Sequence, residues 1–329
     1  MKFVVSSMEL LSHLQAISRV ISSKNTLPIL DNFLFSLEDG MLEITASDLE
    51  STMITQVRLE NTDGSGLIAI PARILTDTLK EFPDLPLNFE INNDSLMIVI
   101  QSESGKFTIM GQNGAEFPQI PVIKDDRKEQ VELDQDVLLS GISKSLFATA
   151  DDELRPVMNG ILLELSSDDI TFVASDAHKL VRYRRTDASA GNASSFILPK
   201  KPASLLKNIL PKVDAPVLLE FDDRNASFTL PGYRLVCRLV EGNYPSYNSV
   251  IPTDNPYKLT IDRLSFYNTL RRVSVFSNQA SNLVKLSLTG NQLNISAQDL
   301  DFSISANERI GCQYDGEDME IGFKSTFLI

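Results

Sequence analysis

The chain has no tryptophan, two cysteines and two histidines in 329 residues. Two thiols, Cys237 and Cys312, are too few for a disulfide framework. Their spacing is not that of metal ligands, so no metal site is expected and both read as small core residues. No apolar run approaches the ~18 residues that span a bilayer, so no membrane partner is expected. The opening segment does not read as a signal peptide: Phe3-Val4-Val5 gives way to Ser6-Ser7, and Glu9 follows. Together with the scarcity of cysteine, this leads to the expectation of a reducing, cytoplasmic location. Positive charge is also short: 30 Lys and Arg against 44 Asp and Glu leave a net charge of −14. Such a composition does not by itself point to nucleic acid. The remainder is ordinary for a folded protein, with 43% hydrophobic residues. At ~100–200 residues per domain, the length suggests two or three domains.

The informative signal is internal repetition. Phe33-Leu-Phe-Ser-Leu-Glu-Asp-Gly-Met-Leu-Glu-Ile-Thr-Ala-Ser-Asp48 is echoed by Ile161 through Asp176 and again by Val284 through Asp299. Each copy reads as an alternating strand, a polar turn, a second alternating strand and a closing aspartate. The alternation of Val284, Leu286 and Leu288 with Lys285, Ser287 and Thr289 has period two, the mark of a sheet with one wet face. Asp39-Gly40, Asp168-Asp169 and Gly290-Asn291 suit hairpin turns. An aspartate used this way bonds its own backbone.

Helical patterns flank each hairpin. Ser6 and Glu9 suggest a capping box ahead of Leu10, Leu14, Ile17 and Ile21. Asp134 and Asp262 are placed to cap the corresponding helices. Second helices are expected over Pro71–Phe82 and Leu198–Leu210, with a third starting at Phe323; Pro71 and Pro199 stand where a first-turn proline is tolerated. Positive charge concentrates here. The window 198–212 holds Lys200, Lys201, Lys207 and Lys212 with no acidic residue, and Arg263, Arg271 and Arg272 outnumber Asp262 in the window 261–277. Basic helices beside acidic sheets would give an acidic protein one positive surface, although lysines on helices also serve as simple solvated faces.

The chain thus divides into three α+β units of ~125 residues, 1–124, 125–252 and 253–329. The joints are the turn-rich Pro118–Asp126 and Pro252–Pro256. The third unit stops shortly after its second helix should begin. By comparison with the other two it is expected to be short by ~40–50 residues. Its apolar face of Val284, Leu286, Leu288, Leu293 and Ile295 is then expected to be only partly covered.

A threefold repeat of this hairpin resembles the family of bacterial DNA polymerase III β subunits, the sliding clamps. Six stretches carry the resemblance, in order along the whole chain: Lys24-Asn-Thr-Leu-Pro-Ile-Leu30, Pro71-Ala-Arg73, Phe117-Pro118, Val173–Leu180, Glu241–Tyr247 and Met319–Phe323. The resemblance implies three tandem copies of the DNA-clamp fold, with helices lining a ring and antiparallel sheets outside. It implies a homodimer that encircles duplex DNA without reading its sequence, and no catalysis and no cofactor. Its partners would be the DNA polymerase III α subunit, the clamp loader and other clamp-motif proteins.

Carried over by position, Lys24, Arg73, Arg155, Lys200 and Lys201 would face DNA. A local ion pair with Asp151 or Asp152 is the plainer role for Arg155, and Pro156 and Val157 stand where some members carry tyrosines. A partner-peptide cleft between the second and third domains would use Met158, Ser175, Ala177, His178, Lys179, Leu180, Pro245, Val250, Lys324 and Phe327. Lys179 and Ser249 depart from frequent arginines there. Ring closure would bring Ile74, Phe82, Phe107 and Ile109 against Val275 and Phe276 of a second copy. Two other readings stand beside this one. One is a β-rich three-repeat scaffold that never encircles DNA. The other is a hydrolase using Asp176 and His178.

Overall fold

The computed structural model describes residues 1–123 and 128–329. The boundary expected between residues 124 and 125 lies outside the described residues. The described chain forms two compact units, Met1–Pro245 and Ser246–Ile329.

Six α-helices occur among the described residues: α1 (Ser7–Ile17), α2 (Ala72–Lys80), α3 (Gln135–Ser145), α4 (Lys200–Ile209), α5 (Arg263–Ser274) and α6 (Ser325–Leu328). Their starts follow local chemistry. Ser6 Oγ accepts the Glu9 amide at 3.2 Å, and Asp262 Oδ1 accepts the Ser265 amide at 2.7 Å. Asp134 holds the same position ahead of α3, but its side chain makes no cap. The amide of Val137, in the first turn, bonds instead to the Asp134 carbonyl at 3.0 Å. Pro71 and Pro199 stand at the N-cap, one place before the first turn. The last helix begins at Ser325 rather than at Phe323, because Phe323 and Lys324 still belong to the strand Met319–Lys324, which pairs with Leu283–Thr289.

In the first unit both hairpins form as read, Asn32–Glu38 with Met41–Ser47 and Gly160–Leu165 with Ile170–Ser175. Alternation decides which side chains enter the core: Phe33, Phe35 and Leu37 are at most 1% exposed. A second row runs across strands rather than along them. Phe3 faces Phe89, Phe89 faces Ile100, and Ile100 faces Phe107. Repeat two builds the same row from Val131, Leu219, Phe228 and Leu235. In repeat two the row continues. Leu235 faces Met53 of repeat one, because Tyr233–Arg238 pairs antiparallel with Ser51–Arg58. That pairing fuses two repeats into one nine-stranded sheet, flanked in the unit by a five-stranded and a four-stranded sheet.

Side chains reinforce this seam. Thr55 Oγ1 donates to the Gly232 carbonyl at 2.9 Å and therefore accepts from His13 Nδ1 at 2.5 Å. The His13 ring stacks on Tyr233. Burial holds the His13 pKa below its ordinary value; Glu9 opposes the shift and Lys212 adds to it. Arg19 donates to Asn208 at 3.1 Å, and Arg238 pairs with Glu50 at 3.5 Å.

The second unit carries a four-stranded sheet, ordered Ile304–Gly311, Gln292–Asp299, Leu283–Thr289 and Met319–Lys324, and a two-stranded sheet of Lys258–Thr260 and Gln313–Asp315. The expectation of a partly covered face is corrected here. Val284, Leu286, Leu288, Leu293 and Ile295 are at most 5% exposed. Leu270 and Val273 of α5 cover them, while Phe266, Tyr314, Phe323 and Leu328 close the margins.

Helix α3 packs against the strand Ile170–Ser175 at Gly141. A β-carbon there would sit 2.4 Å from the ring of Phe172, so the close approach requires glycine. Alanine favours a helix over glycine by ~1 kcal/mol. Gly141→Ala should nevertheless destabilise the first unit by about 1–3 kcal/mol, because the buried ring has nowhere to go. Urea unfolding would measure this, and a variant as stable as the parent would mean that Phe172 moves aside freely.

Candidate functional site

The three closing aspartates perform one job. Asp48 Oδ1 accepts the amides of Glu50 and Ser51 at 3.0 and 2.7 Å. Asp176 Oδ1 accepts those of His178 and Lys179 at 3.0 and 2.9 Å. Asp299 Oδ1 accepts those of Asp301 and Phe302 at 2.9 and 3.3 Å. In the first two repeats the preceding serine completes the turn. Ser47 accepts from Leu49 and donates to the Ser51 carbonyl, and Ser175 does the same with Ala177 and Lys179. These bonds hold Leu49 and Ala177 at φ 78° and 71°, where a side chain is normally disfavoured. Repeat three has Gln298 instead of serine. There the ladder runs one pair further, to Asp299 facing Ile304, whereas in repeat one it ends at Ser47 facing Thr52.

Asp176 is not half of an acid–base dyad. His178 reaches it only through its backbone amide, and the carboxylate is paired with the Lys179 ammonium. Burial pushes the Asp176 carboxyl up, but bonds from Lys179 and His178 outweigh it and hold the pKa below the ordinary value. Cys237 is fully buried and its thiol is pushed up to about 12, so it is inert. The half-buried Cys312 packs on the second core.

The five cations expected to face DNA have unequal freedom. Lys24 is exposed and pairs with no carboxylate among the described residues. Arg73 is 95% exposed at its side chain, with Asp77 3.8 Å away. Arg155 is tied to Asp152 at 2.8 Å, a bond that holds the Asp152 pKa down. Lys200 pairs with Asp151 at 2.5 Å. Lys201 donates to the Val20 carbonyl at 2.7 Å and pairs with Asp48, so it spans the seam between repeats one and two. Lys207, Lys212, Arg263 and Arg271 add charge on exposed faces.

Of the expected peptide-binding residues in the first unit, Met158 and Ser175 are buried, Lys179 and Leu180 half-buried, and Ala177, His178 and Pro245 exposed. In the second unit Val250 is 68% exposed, and the Lys324 ammonium lies 5.5 Å above the Phe327 ring. A cavity of about 500 Å³ in the first unit lies elsewhere, lined by residues that include Glu164, Ser195, Asp222, Arg224 and Tyr244. Among the expected closure residues, Ile74, Phe107, Val275 and Phe276 are exposed, and Phe82 meets Phe107 edge to face at 5.3 Å. Ile109 is 8% exposed and belongs to the core of its own repeat. Sequence reasoning missed Met110, Leu300 and Phe302, which are 65%, 79% and 74% exposed.

Sequence profiles of one family match the chain in three consecutive segments: DNA polymerase III beta subunit N-terminal domain over residues 1–121, central domain over 132–246 and C-terminal domain over 248–329. The chain belongs to the DNA polymerase III beta subunit family. It is similar to the beta sliding clamp of Haemophilus influenzae, with 29% identity covering 100% of this chain and 89% of that protein. The beta sliding clamp of Synechocystis sp. is 30% identical over the same shares. A sliding clamp from Pseudomonas aeruginosa, solved bound to griselimycin, superposes with a TM-score of 0.93 at 26% identity, over 100% of this chain and 88% of that one. The beta subunit from Thermotoga maritima gives a TM-score of 0.89 at 27% identity, covering 99% and 88%. The clamps are non-catalytic processivity factors, and this sets aside the hydrolase reading. No described helix is long and apolar enough to cross a membrane.

Lys201 serves the seam, and its loss should register in stability. Lys201→Met should cost about 1 kcal/mol, between the values for exposed and buried pairs. Denaturant unfolding would measure it. Unchanged stability together with weakened DNA retention would return Lys201 to the DNA-facing set.

Proposed function

We propose that two copies of the chain close head to tail into a ring around duplex DNA and tether the replicative polymerase to it. The observation that carries this reading is the internal seam. The strand Lys106–Met110 stands in repeat one where Tyr233–Arg238 stands in repeat two, and Ile304–Gly311 stands in repeat three where Ser51–Arg58 stands in repeat one. Both are outer strands of their sheets. An outer strand presents a row of unpaired amides and carbonyls. Joined in the register of the seam, Phe107 would face Ala306 of the partner subunit. Ile74 and Phe82 match Pro202 and Leu210, and Phe276 matches Val20, all three of which are buried at the seam or in the adjoining core. Ile74 and Phe276, exposed in a single copy, are thus counterparts of residues that are buried within the first unit. Three domains, with boundaries near residues 124 and 252, then make half a ring.

In this reading the tether is topological. Lys24, Arg73, Lys200 and, more weakly, Arg155 and Lys201 supply phosphate contacts that carry no sequence information. Their partial pairing with Asp77, Asp151, Asp152 and Asp48 keeps each contact weak, which suits sliding. Met158, Ser175, Ala177, His178, Lys179, Leu180 and Pro245, together with Val250, Lys324 and Phe327, belong to the same proposal as peptide-docking residues. Their partners are the DNA polymerase III α subunit, the clamp loader and other clamp-motif proteins, all in the cytoplasm. Docking of this kind rests on apolar anchors entering a desolvated hollow.

Two outcomes are expected. Phe276→Asp should yield monomers in sedimentation, since burying an unpaired carboxylate at the joint is unfavourable by several kcal/mol; an unchanged dimer would refute the closure. Replacing Lys24 and Lys200 by alanine should weaken loading and make it less salt-dependent, by about 0.9 in log–log slope for each phosphate that is no longer neutralised. Rings already closed on covalent circles should be retained. Escape from circles as fast as from linear DNA would rule out topological tethering.

A further inference from the structure

Each closing aspartate is a carboxylate taken largely out of water, and two of the three are matched by a cation. Asp176 is paired with Lys179 of its own turn. Asp48 is paired with Lys201, which comes from the next repeat and also donates to the Val20 carbonyl at 2.7 Å. Asp299 is 3% exposed, yet no cation pairs with it among the described residues. Its Oδ1 accepts the amides of Asp301 and Phe302, and its Oδ2 accepts the Asn278 side-chain amide at a long 3.3 Å. A carboxylate withdrawn from water is costly unless a cation compensates it.

The place of that cation follows from the repeats. Lys201 is the second residue of α4, after the N-cap Pro199, and Arg73 is the second residue of α2, after the N-cap Pro71. Val20 matches Phe276, and Asp48 matches Asp299. A joint in the register of the seam therefore sets Arg73 of one copy against these two residues of the other. In a single copy the Arg73 side chain is 95% exposed, and its neighbour Asp77 is 3.8 Å away and more than half exposed. Such a pair is weak and leaves the guanidinium available. The seam's other cation contacts do not carry over. Arg19 and Asn208 become Val275 and Lys80, and Arg238 and Glu50 become Met110 and Asp301. Of these three contacts, the one made by Lys201 alone keeps both a cation and a carboxylate.

We infer that Arg73 of one copy bonds the carboxylate of Asp299 of the partner subunit and the carbonyl of Phe276 of the partner subunit, as Lys201 bonds Asp48 and Val20 within the chain. The inference rests on the ring-closure reading and gives its joint a polar anchor. A guanidinium presents several donors in a fixed fork, so it serves two acceptors at once. The Asn278 bond takes one lone pair of Oδ2 and leaves the other for Arg73. Arg73 also stands among the DNA-facing cations of that reading. Closure draws it to Asp299 and leaves the phosphates to Lys24 and Lys200.

The test is a double-mutant cycle on the full chain without DNA, read by sedimentation equilibrium. Arg73→Ala should raise the dimer dissociation constant ~10-fold or more, as expected for a charge-assisted bond lost from a joint. Asp299→Asn keeps the oxygen that accepts the turn amides and removes the charge, so it should weaken the dimer by a similar factor. The double variant should be no more than ~3-fold worse than either single one. Arg73→Glu leaves the turn untouched and sets two carboxylates face to face, so it should weaken the dimer more than Arg73→Ala does. This second comparison carries the test if thermal melts show that Asp299→Asn does not stay folded. Additive losses in the cycle, or Arg73→Glu no worse than Arg73→Ala, would overturn the pair. A dimer unchanged by both Arg73 variants while Phe276→Asp gives monomers would leave the ring standing and return Arg73 to DNA alone. If Phe276→Asp itself leaves the association unchanged, ring closure fails and this inference fails with it.

Discussion

A strand at the edge of a sheet carries amides and carbonyls that are satisfied by water or by another strand, and an edge left bare invites the wrong partner. Each repeat of this chain ends its sheets in such edges. Repeats one and two resolve the problem against each other, through Ser51–Arg58 and Tyr233–Arg238. The other features of the first unit follow from that pairing. It sets the register that carries the Val131–Leu219–Phe228–Leu235 row on to Met53. It brings His13, Thr55 and Tyr233 together, and it places Lys201 over Asp48. Fusing the sheets makes 245 residues one compact body rather than two beads.

Electrostatics is arranged around the same joint. The chain is strongly acidic, yet many cations are paired with carboxylates that also do structural work. Asp48 both closes a turn and receives Lys201, and Asp176 both closes a turn and receives Lys179. Surface cations so engaged are largely neutralised by their own carboxylates and are not set to hold an external anion firmly. A protein that must move along a polyanion needs attraction without fixed grip.

Much of this is legible in the residues, because its causes are local. Alternation at Phe33, Phe35 and Leu37 marks a strand whatever lies beyond it. The aspartates at 48, 176 and 299 mark turns because the carboxylate bonds amides two and three positions on. Caps are less legible. Asp134 and Asp262 read alike, yet only Asp262 uses its side chain. Least legible is anything set by residues far apart in sequence. No local pattern tells that Lys201 reaches Val20 and Asp48, or that Ile109 belongs inside its own repeat. The coverage of Val284 and Leu286 is hidden from the sequence for the same reason, because α5 and Tyr314 approach from distant positions and shield the face.

The turn after the strand Ile170–Ser175 has a consequence for how this surface can change. Its shape is imposed by the side chains of Ser175 and Asp176, which point back into the backbone. The tip residues Ala177 and His178 contribute only amides to that frame. Any side chain that tolerates the left-handed position at 177, and almost any at 178, can be displayed there without loss of the scaffold. Folding and display are thus assigned to different, adjacent residues. Evolution or an engineer can diversify the tip while the fold stays under separate control.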